Sequence, residues 1–161
     1  MPSVLFVCTG NVCRSPAAAA IFRHLLQQRR MAAGWHVGSA GTWATPGAPI
    51  HPLVRRVLKE MGMVDSRHRA RLVSPQLMAQ ADLVLGVTRH HVEALRAEFP
   101  AHAERVHLLS TMAGHTFDIP DPANMTLREV RYIVAEIRDI LEAGFDRIVQ
   151  EATCRTHPSP R

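Results

Sequence analysis

A short loop at Cys8–Ser15 constrains the fold of this chain more than any other feature. The loop follows the apolar run Val4–Val7, and Ser15-Pro16 has the residue types that begin helices. The order is therefore strand, tight loop, helix. Backbone N–H groups of such a loop point inward, and the helix N-terminus carries partial positive charge. The resulting concavity suits a tetrahedral dianion.

Cys8 and Arg14 are the groups in this loop that could carry chemistry. The positive field of the helix N-terminus favours thiolate over thiol, so Cys8 is a candidate nucleophile near neutral pH. Arg14 can close the loop with a planar fork that binds two phosphate oxygens at once. In the alternative interpretation, Cys8 is only a buried thiol at the end of a strand and Arg14 only a surface charge. The flanking strand and helix make that interpretation less favourable. The loop also lacks the Gly-Lys-Ser/Thr of nucleotide-binding loops. The Cys8 thiol and the Arg14 guanidinium together suit nucleophilic attack on phosphorus.

The segment Cys8–Pro16 resembles the signature of the low-molecular-weight protein tyrosine phosphatases. The similarity continues in order and in spacing, over roughly residues 3 to 150, through Ser39–Thr42, Ala81–Leu85 and Asp118–Pro122. The fold that this resemblance implies is related to that of the arsenate reductases.

The resemblance also implies a mechanism through a phosphocysteine, without cofactors. In it Cys8 is the nucleophile, Arg14 the phosphate clamp and Asp121 the general acid. Asn11 would support the loop through hydrogen bonds, and Ser15 would donate a hydrogen bond to the Cys8 thiolate. The implied phosphate-binding residues are Thr9, Gly10, Asn11, Val12, Cys13, Arg14 and Ser15.

Hydrophobic periodicity predicts strands that alternate with helices. The predicted strands are Ser3–Cys8, Trp35–Ser39, Ala81–Val87 and Arg105–Leu109. The predicted helices are Pro16–Met31, His51–Met63, Ser74–Gln80, Arg89–Phe99 and a long final one from Thr126 to about Gln150. Such alternation predicts an α/β fold with a four-stranded parallel sheet and helices on both faces. Ligands of these sheets bind at the carboxyl ends of the strands, which is where Cys8 lies.

With 161 residues, of which 47% are hydrophobic, the chain has the size of one well-packed domain. We expect this domain to cover residues 1–151 and residues 152–161 to form a disordered tail. No stretch approaches the roughly 18 apolar residues that span a bilayer, and no export signal is recognised, so no membrane partner is expected. Three cysteines do not make a disulfide framework, which indicates a cytoplasmic protein. We expect a monomer or a weak dimer.

The net charge of +5 does not by itself indicate a nucleic-acid partner. The 19 Lys and Arg residues are spread along the chain, and aromatic residues, which stack on bases, make up only 5%. The positive field is better suited to attracting anionic phosphoesters. The ten histidines show no metal-ligand spacing, so we expect no metal and interpret His90 and His91 as solvated helix residues.

Two aspartates compete for the role of general acid. Asp121 lies in a Pro-Asp-Pro turn, where the flanking prolines restrict the backbone and hold the carboxyl group in place. Asp118, three residues earlier, has the alternative role of a turn residue that bonds its own backbone. Because the resembled family places its acid immediately before a proline, we favour Asp121.

The sequence leaves the substrate open. Members of the family that act on phosphotyrosine usually carry an aromatic residue directly after the Asp-Pro, whereas this chain has Ala123. Trp43, in the loop after the second strand, is the candidate for the missing pocket wall. We expect a phosphotyrosine protein as substrate, with a small phosphate ester as the alternative. A second alternative is an arsenate reductase. The related thioredoxin-linked arsenate reductases use two further cysteines that this chain lacks, so such an activity would need a small external thiol. Cys13 is interpreted either as an apolar filler or as a thiol that traps oxidised Cys8 in a disulfide.

Overall fold

The computed structural model describes residues 1–63 and 67–156 and has a parallel four-stranded sheet at its centre. The strands are β1 (Ser3–Cys8), β2 (His36–Gly41), β3 (Leu83–Gly86) and β4 (Val106–Leu108). Their order across the sheet is β2-β1-β3-β4, and every neighbouring pair is parallel. The predicted fold class is thus confirmed. Strand β1 has its predicted bounds, and the ends of the other three strands differ from prediction by one or two residues.

Helices pack on both faces of this sheet. They are α1 (Arg14–Gln28), α2 (Pro52–Glu60), α3 (Pro75–Gln80), α4 (Arg89–Glu98), α5 (Leu127–Ala143) and α6 (Phe145–Thr156). The alternation of side chains along β1 explains the two layers, because successive residues of a strand point to opposite faces. Val4 and Phe6 join the core under α1 and α5, and Leu5 and Val7 join the core under α3 and α4. A strand that is buried on both faces reads as a continuous apolar run.

The C-terminal helical region differs from its prediction at two places. The predicted single helix is divided, because α5 ends at Ala143 and α6 begins at Phe145. A Cβ atom on Gly144 would lie 2.9 Å from backbone atoms of Met112, so only glycine permits this close approach. Helix α6 also continues to Thr156 with Ala152 fully buried, so the segment 152–156 is helical where the sequence predicts disorder. Residues 157–161 lie outside the described residues.

The start of α5 follows its prediction closely. The Thr126 side chain accepts a hydrogen bond from the Glu129 N–H, and the Glu129 carboxylate accepts one from the Thr126 N–H. This reciprocal pair is the capping box that the sequence indicates. Within the described part of the chain, no helix has the length and apolar character needed to cross a membrane.

Candidate active site

The loop from Cys8 to Ser15 joins the carboxyl end of β1 to α1 and turns around Asn11. Asn11 has a positive φ of 55°, a backbone conformation that asparagine tolerates better than most residues. Its buried side chain donates to the hydroxyl oxygens of Ser15 and Ser39, over 2.8 and 2.9 Å, and accepts from the Arg71 N–H over 3.0 Å. Every polar atom of the side chain therefore supports the loop in one shape.

The Cys8 thiol lies buried at the floor of this loop. Its Sγ atom is 3.0 Å from the Ser15 hydroxyl oxygen. Because that oxygen already accepts from Asn11, the Ser15 hydroxyl proton is available for donation to Cys8 or to the Ala40 carbonyl, 3.3 Å away. The Ser15 hydroxyl is therefore placed to hydrogen-bond the Cys8 sulfur.

Cys13 occupies the same loop with different chemistry. Burial, reinforced by the negative charges of Asp121 and Cys8, raises the pKa of the Cys13 thiol to about 12. Cys13 is therefore a protonated thiol at neutral pH, and Cys8 is the thiol of this loop that suits nucleophilic chemistry. Both cysteines are free, so the disulfide between them stays a prediction.

Arg14 presents a buried donor that has no partner. The side chain is only 5% exposed, and its Nη1 donates to the Ile119 carbonyl oxygen over 2.9 Å. The Nε atom is buried without a hydrogen-bond partner, and Nη2 lies 3.9 Å from the Asp121 carboxylate, beyond hydrogen-bond range. Buried donors are normally satisfied, so the Nε–Nη2 edge of this guanidinium is able to bind an acceptor. This is the edge with which arginine binds two oxygens of one anion.

The two candidate acids have separate surroundings. The Asp118 carboxylate accepts from the backbone N–H of Arg89 over 2.8 Å and pairs with its side chain over 3.4 Å, at the start of α4. The Asp121 carboxylate lies beside Arg14, is 56% exposed and accepts from the Ala123 N–H over 3.1 Å. Asp121 is thus the acid next to the Cys8–Ser15 loop (the phosphate loop, named for its predicted ligand), and Asp118 holds the start of a helix.

Comparisons with known proteins agree with this geometry. Residues 3–154 match the family model of the low molecular weight phosphotyrosine protein phosphatases. A protein-arginine-phosphatase of Geobacillus stearothermophilus is 34% identical over 149 residues, which are 92% of this chain and 94% of the relative. Low molecular weight protein-tyrosine phosphatase A of Mycobacterium tuberculosis is 33% identical in an alignment of 162 positions that covers 97% of this chain and 96% of the relative. The solved structure of a low molecular weight protein tyrosine phosphatase from T. tengcongensis has a TM-score of 0.86 and 32% identity, over 91% of this chain and 99% of that one.

The chain belongs to the low molecular weight phosphotyrosine protein phosphatase family. It is a cysteine-dependent phosphatase, as the resemblance of its loop implies. The relatives are named for phosphatase activity on proteins, and nothing in the comparisons favours the small phosphate ester or the arsenate alternative.

The rim of this phosphatase site carries the two positions predicted to line the pocket. The Trp43 N–H donates to the Thr9 carbonyl over 2.9 Å, and 83% of the Trp43 residue is exposed. Ala123, also exposed, follows Asp121 on the other loop. Their contact with substrate stays a prediction.

Sequence reasoning missed two histidines that contact the phosphate loop of this family member. His68 Nε2 lies 2.6 Å from the Asn11 carbonyl oxygen. His91 is 3% exposed, and its ring bonds the hydroxyls of Thr9 and Thr88 over 2.8 and 2.7 Å. The interpretation of His91 as a solvated residue is therefore wrong, whereas His90 is exposed. The missed signal was the spacing of four between His91 and Leu95, which places both on the buried face of α4.

Within residues 1–63 and 67–156, no group of three or more His, Cys, Asp or Glu side chains is arranged so that it could hold a metal ion.

The burial of His91 predicts a specific pH dependence of stability. Burial, assisted by the charge of Arg14, lowers the pKa of the ring from 6.5 to about 4. Between these values the unfolded chain binds a proton that the folded protein does not, so the free energy of unfolding falls as the pH drops through that window. His91→Gln keeps an amide that can hydrogen-bond Thr9 but does not titrate. The free energy of unfolding is measured with urea between pH 4.5 and 7.5. Its increase per pH unit should be smaller in the variant than in the parent by up to about 1.4 kcal/mol. Parallel profiles for the two proteins would contradict the assignment.

Proposed function

We propose that this phosphatase hydrolyses phosphotyrosine in proteins through a phosphocysteine on Cys8. The observation that carries the proposal is the partnerless Nε of Arg14, a buried donor in the same loop as the Cys8 thiol. A phosphate group bound there would accept from this atom and from the loop's backbone N–H groups. The reacting phosphorus would then lie against the Cys8 sulfur.

The proposed reaction has two steps. In the first, the Cys8 thiolate attacks phosphorus, the phosphorus–oxygen bond to tyrosine breaks, and Asp121 gives its proton to the leaving oxygen. In the second, water attacks the phosphorus of phosphocysteine, Asp121 takes up the proton of that water, and the Cys8 thiolate leaves. Inorganic phosphate is released and both side chains return to their initial states. Arg14 and the loop N–H groups hold the charge on the phosphate oxygens in both steps.

The leaving-group dependence of one variant tests the role of Asp121. Asp121→Ala should lower kcat/KM, which reports the first step alone, by about 10²-fold for phosphotyrosine, because an unactivated phenoxide needs a proton when it departs. The loss with p-nitrophenyl phosphate should be much smaller, because p-nitrophenoxide leaves without assistance. Asp118→Ala is the matched control, and its kcat/KM should stay within a few-fold of the parent for both substrates. Equal losses on the two substrates, or the larger loss in Asp118→Ala, would contradict the assignment to Asp121.

A second candidate substrate is protein phosphoarginine, which the similarity to a protein-arginine-phosphatase favours. Tyrosine remains our proposal because the family model describes phosphotyrosine phosphatases, and because the exposed Trp43 offers an aromatic surface that Ala123 does not. Stacking on such a surface contributes on the order of 0.5–1.5 kcal/mol.

The two substrates are distinguished by a direct comparison. We expect kcat/KM for a phosphotyrosine peptide to exceed that for a phosphoarginine peptide of the same flanking sequence. The reverse order would assign the enzyme to phosphoarginine.

Trp43→Ala should reduce kcat/KM for the phosphotyrosine peptide several-fold. It should leave inhibition by inorganic phosphate unchanged, because phosphate would contact only the Cys8–Ser15 loop.

We also propose that the enzyme works in a reducing compartment, the cytoplasm. Its proposed nucleophile must remain a free thiol, and Cys8, Cys13 and Cys154 are all unpaired. The partner that follows from the proposal is a phosphorylated protein.

A further inference from the structure

We propose that His51 is a positioning residue that fixes the loop of Asp121 against the phosphate-binding loop. The inference rests on the proposed role of Asp121 as the general acid. It concerns a side chain to which neither the sequence motifs nor the mechanism above assigns a part.

His51 touches both halves of the site. Its backbone N–H donates to the carbonyl oxygen of Val12, in the phosphate loop, over 2.8 Å. Its ring Nε2 lies 3.2 Å from the carbonyl oxygen of Ala123, in the loop of Asp121 (residues 118–123), which we call the acid loop. One residue therefore connects two segments that are 111 positions apart in the chain.

The partners of the His51 ring select one tautomer of the neutral imidazole. His51 Nδ1 accepts a hydrogen bond from the Leu53 N–H over 3.2 Å, as the N-cap of α2. A nitrogen that accepts carries no proton, so the proton of the neutral ring is on Nε2. That is the donor that the Ala123 carbonyl, which only accepts, requires. Both ring nitrogens are thus satisfied when the ring bridges α2 and the acid loop.

The contact at Ala123 bears directly on the carboxylate. The Ala123 N–H donates to Asp121 Oδ1 over 3.1 Å, and the Ala123 carbonyl oxygen accepts from His51. Both side chains therefore hold the same residue. The acid loop is also fixed on its other side, where Ile119 is fully buried and its carbonyl accepts from Arg14. Ala123 has no long side chain that could anchor its own part of the loop. We infer that loss of the His51 ring contact would release the carboxylate of Asp121 from its position beside Arg14.

The capping and positioning roles of His51 can be separated by substitution. Asparagine is a favourable N-cap, so His51→Asn keeps an acceptor for the Leu53 N–H. Its amide is too short to reach Ala123 while it caps the helix, because both polar atoms are bonded to the same carbon. His51→Ala removes both contacts. His90→Asn, the same substitution at an exposed position of α4, is the matched control.

The experiment measures kcat and KM for phosphotyrosine and p-nitrophenyl phosphate, inhibition by inorganic phosphate, and Tm. His51→Asn should keep the parental Tm and the parental phosphate inhibition. It should lower kcat/KM for phosphotyrosine by about fivefold, the equivalent of one neutral hydrogen bond, with little change for p-nitrophenyl phosphate. His51→Ala should show the same kinetic pattern with a lower Tm. His90→Asn should match the parent throughout.

A double-mutant cycle provides the decisive comparison. If His51 acts through Asp121, then adding His51→Asn to Asp121→Ala should cause no further loss of kcat/KM for phosphotyrosine. A full fivefold loss in that background, or parental kcat/KM in His51→Asn alone, would overturn the positioning role. Failure of the proposed function would be recognised separately, because Asp121→Ala by itself would then show no leaving-group dependence. That result would overturn the role of His51 as well.

Discussion

Cys8→Ser is expected to abolish turnover and to preserve the fold. The serine hydroxyl is far less acidic than a thiol, and the field of a helix N-terminus and one hydroxyl donor does not ionise it near neutral pH. The side chain at position 8 is buried and differs by one atom, so the packing around β1 and the contact with Ser15 should persist. We expect kcat for p-nitrophenyl phosphate and for phosphotyrosine to fall below detection. Tm should stay near that of the parent, and inorganic phosphate should still bind in calorimetric titrations.

The control for this substitution is Cys154→Ser. Cys154 is exposed on α6, and the same atom is exchanged there without contact with the phosphate loop. Full activity is expected. If Cys8→Ser retained more than a few per cent of the parental kcat, the phosphocysteine intermediate would be contradicted, and a loss of phosphate binding would show that the loop itself had changed.

The elements of the fold that could be predicted are those whose signal is local. The continuous apolar run of β1 marks a strand buried on both faces, and Thr126 and Glu129 form their capping box within four residues. The break at Gly144 could not be predicted in the same way. It depends on the close approach of Met112, which lies 32 positions away in the chain. The end of α6 was missed because Ala152, which anchors it in the core, adds little to a hydrophobic pattern.

The same distinction applies to the site. Cys8, Asn11, Arg14 and Ser15 lie within eight consecutive residues, so their proximity follows from one turn of the chain. The proximity of Asp121 was inferred from the resemblance, and the structure places that residue beside Arg14. The further supports of the loop come from distant segments and are joined to it only by the tertiary fold. They are the backbone N–H groups of His51 and Arg71 and the side chains of His68 and His91.

Arg14→Lys is expected to be nearly as damaging as loss of the nucleophile. The guanidinium of Arg14 is held from one side by the Ile119 carbonyl, and its Nε atom has no hydrogen-bond partner. We propose that the Nε–Nη2 edge binds two oxygens of the phosphate. A lysine ammonium is a single point of charge and cannot donate to Ile119 and to two phosphate oxygens in this geometry. Because the position is buried, solvation of a misplaced charge there would be poor. Since the loss of one preorganised donor reduces kcat by roughly 10²–10³-fold, we expect Arg14→Lys to reduce kcat/KM by about 10³-fold or more.

Two further measurements distinguish a lost clamp from a damaged fold. Inhibition by inorganic phosphate should weaken together with kcat/KM in Arg14→Lys, because the ground-state dianion uses the same two donors as the transition state. Arg23→Lys is the matched control on the same helix, where the arginine, nine positions further along α1, donates to the Val37 carbonyl. Its kinetics and phosphate inhibition should remain near those of the parent. Parental kinetics in Arg14→Lys would show that positive charge alone suffices at this position, and the assignment of a bidentate clamp would then be wrong.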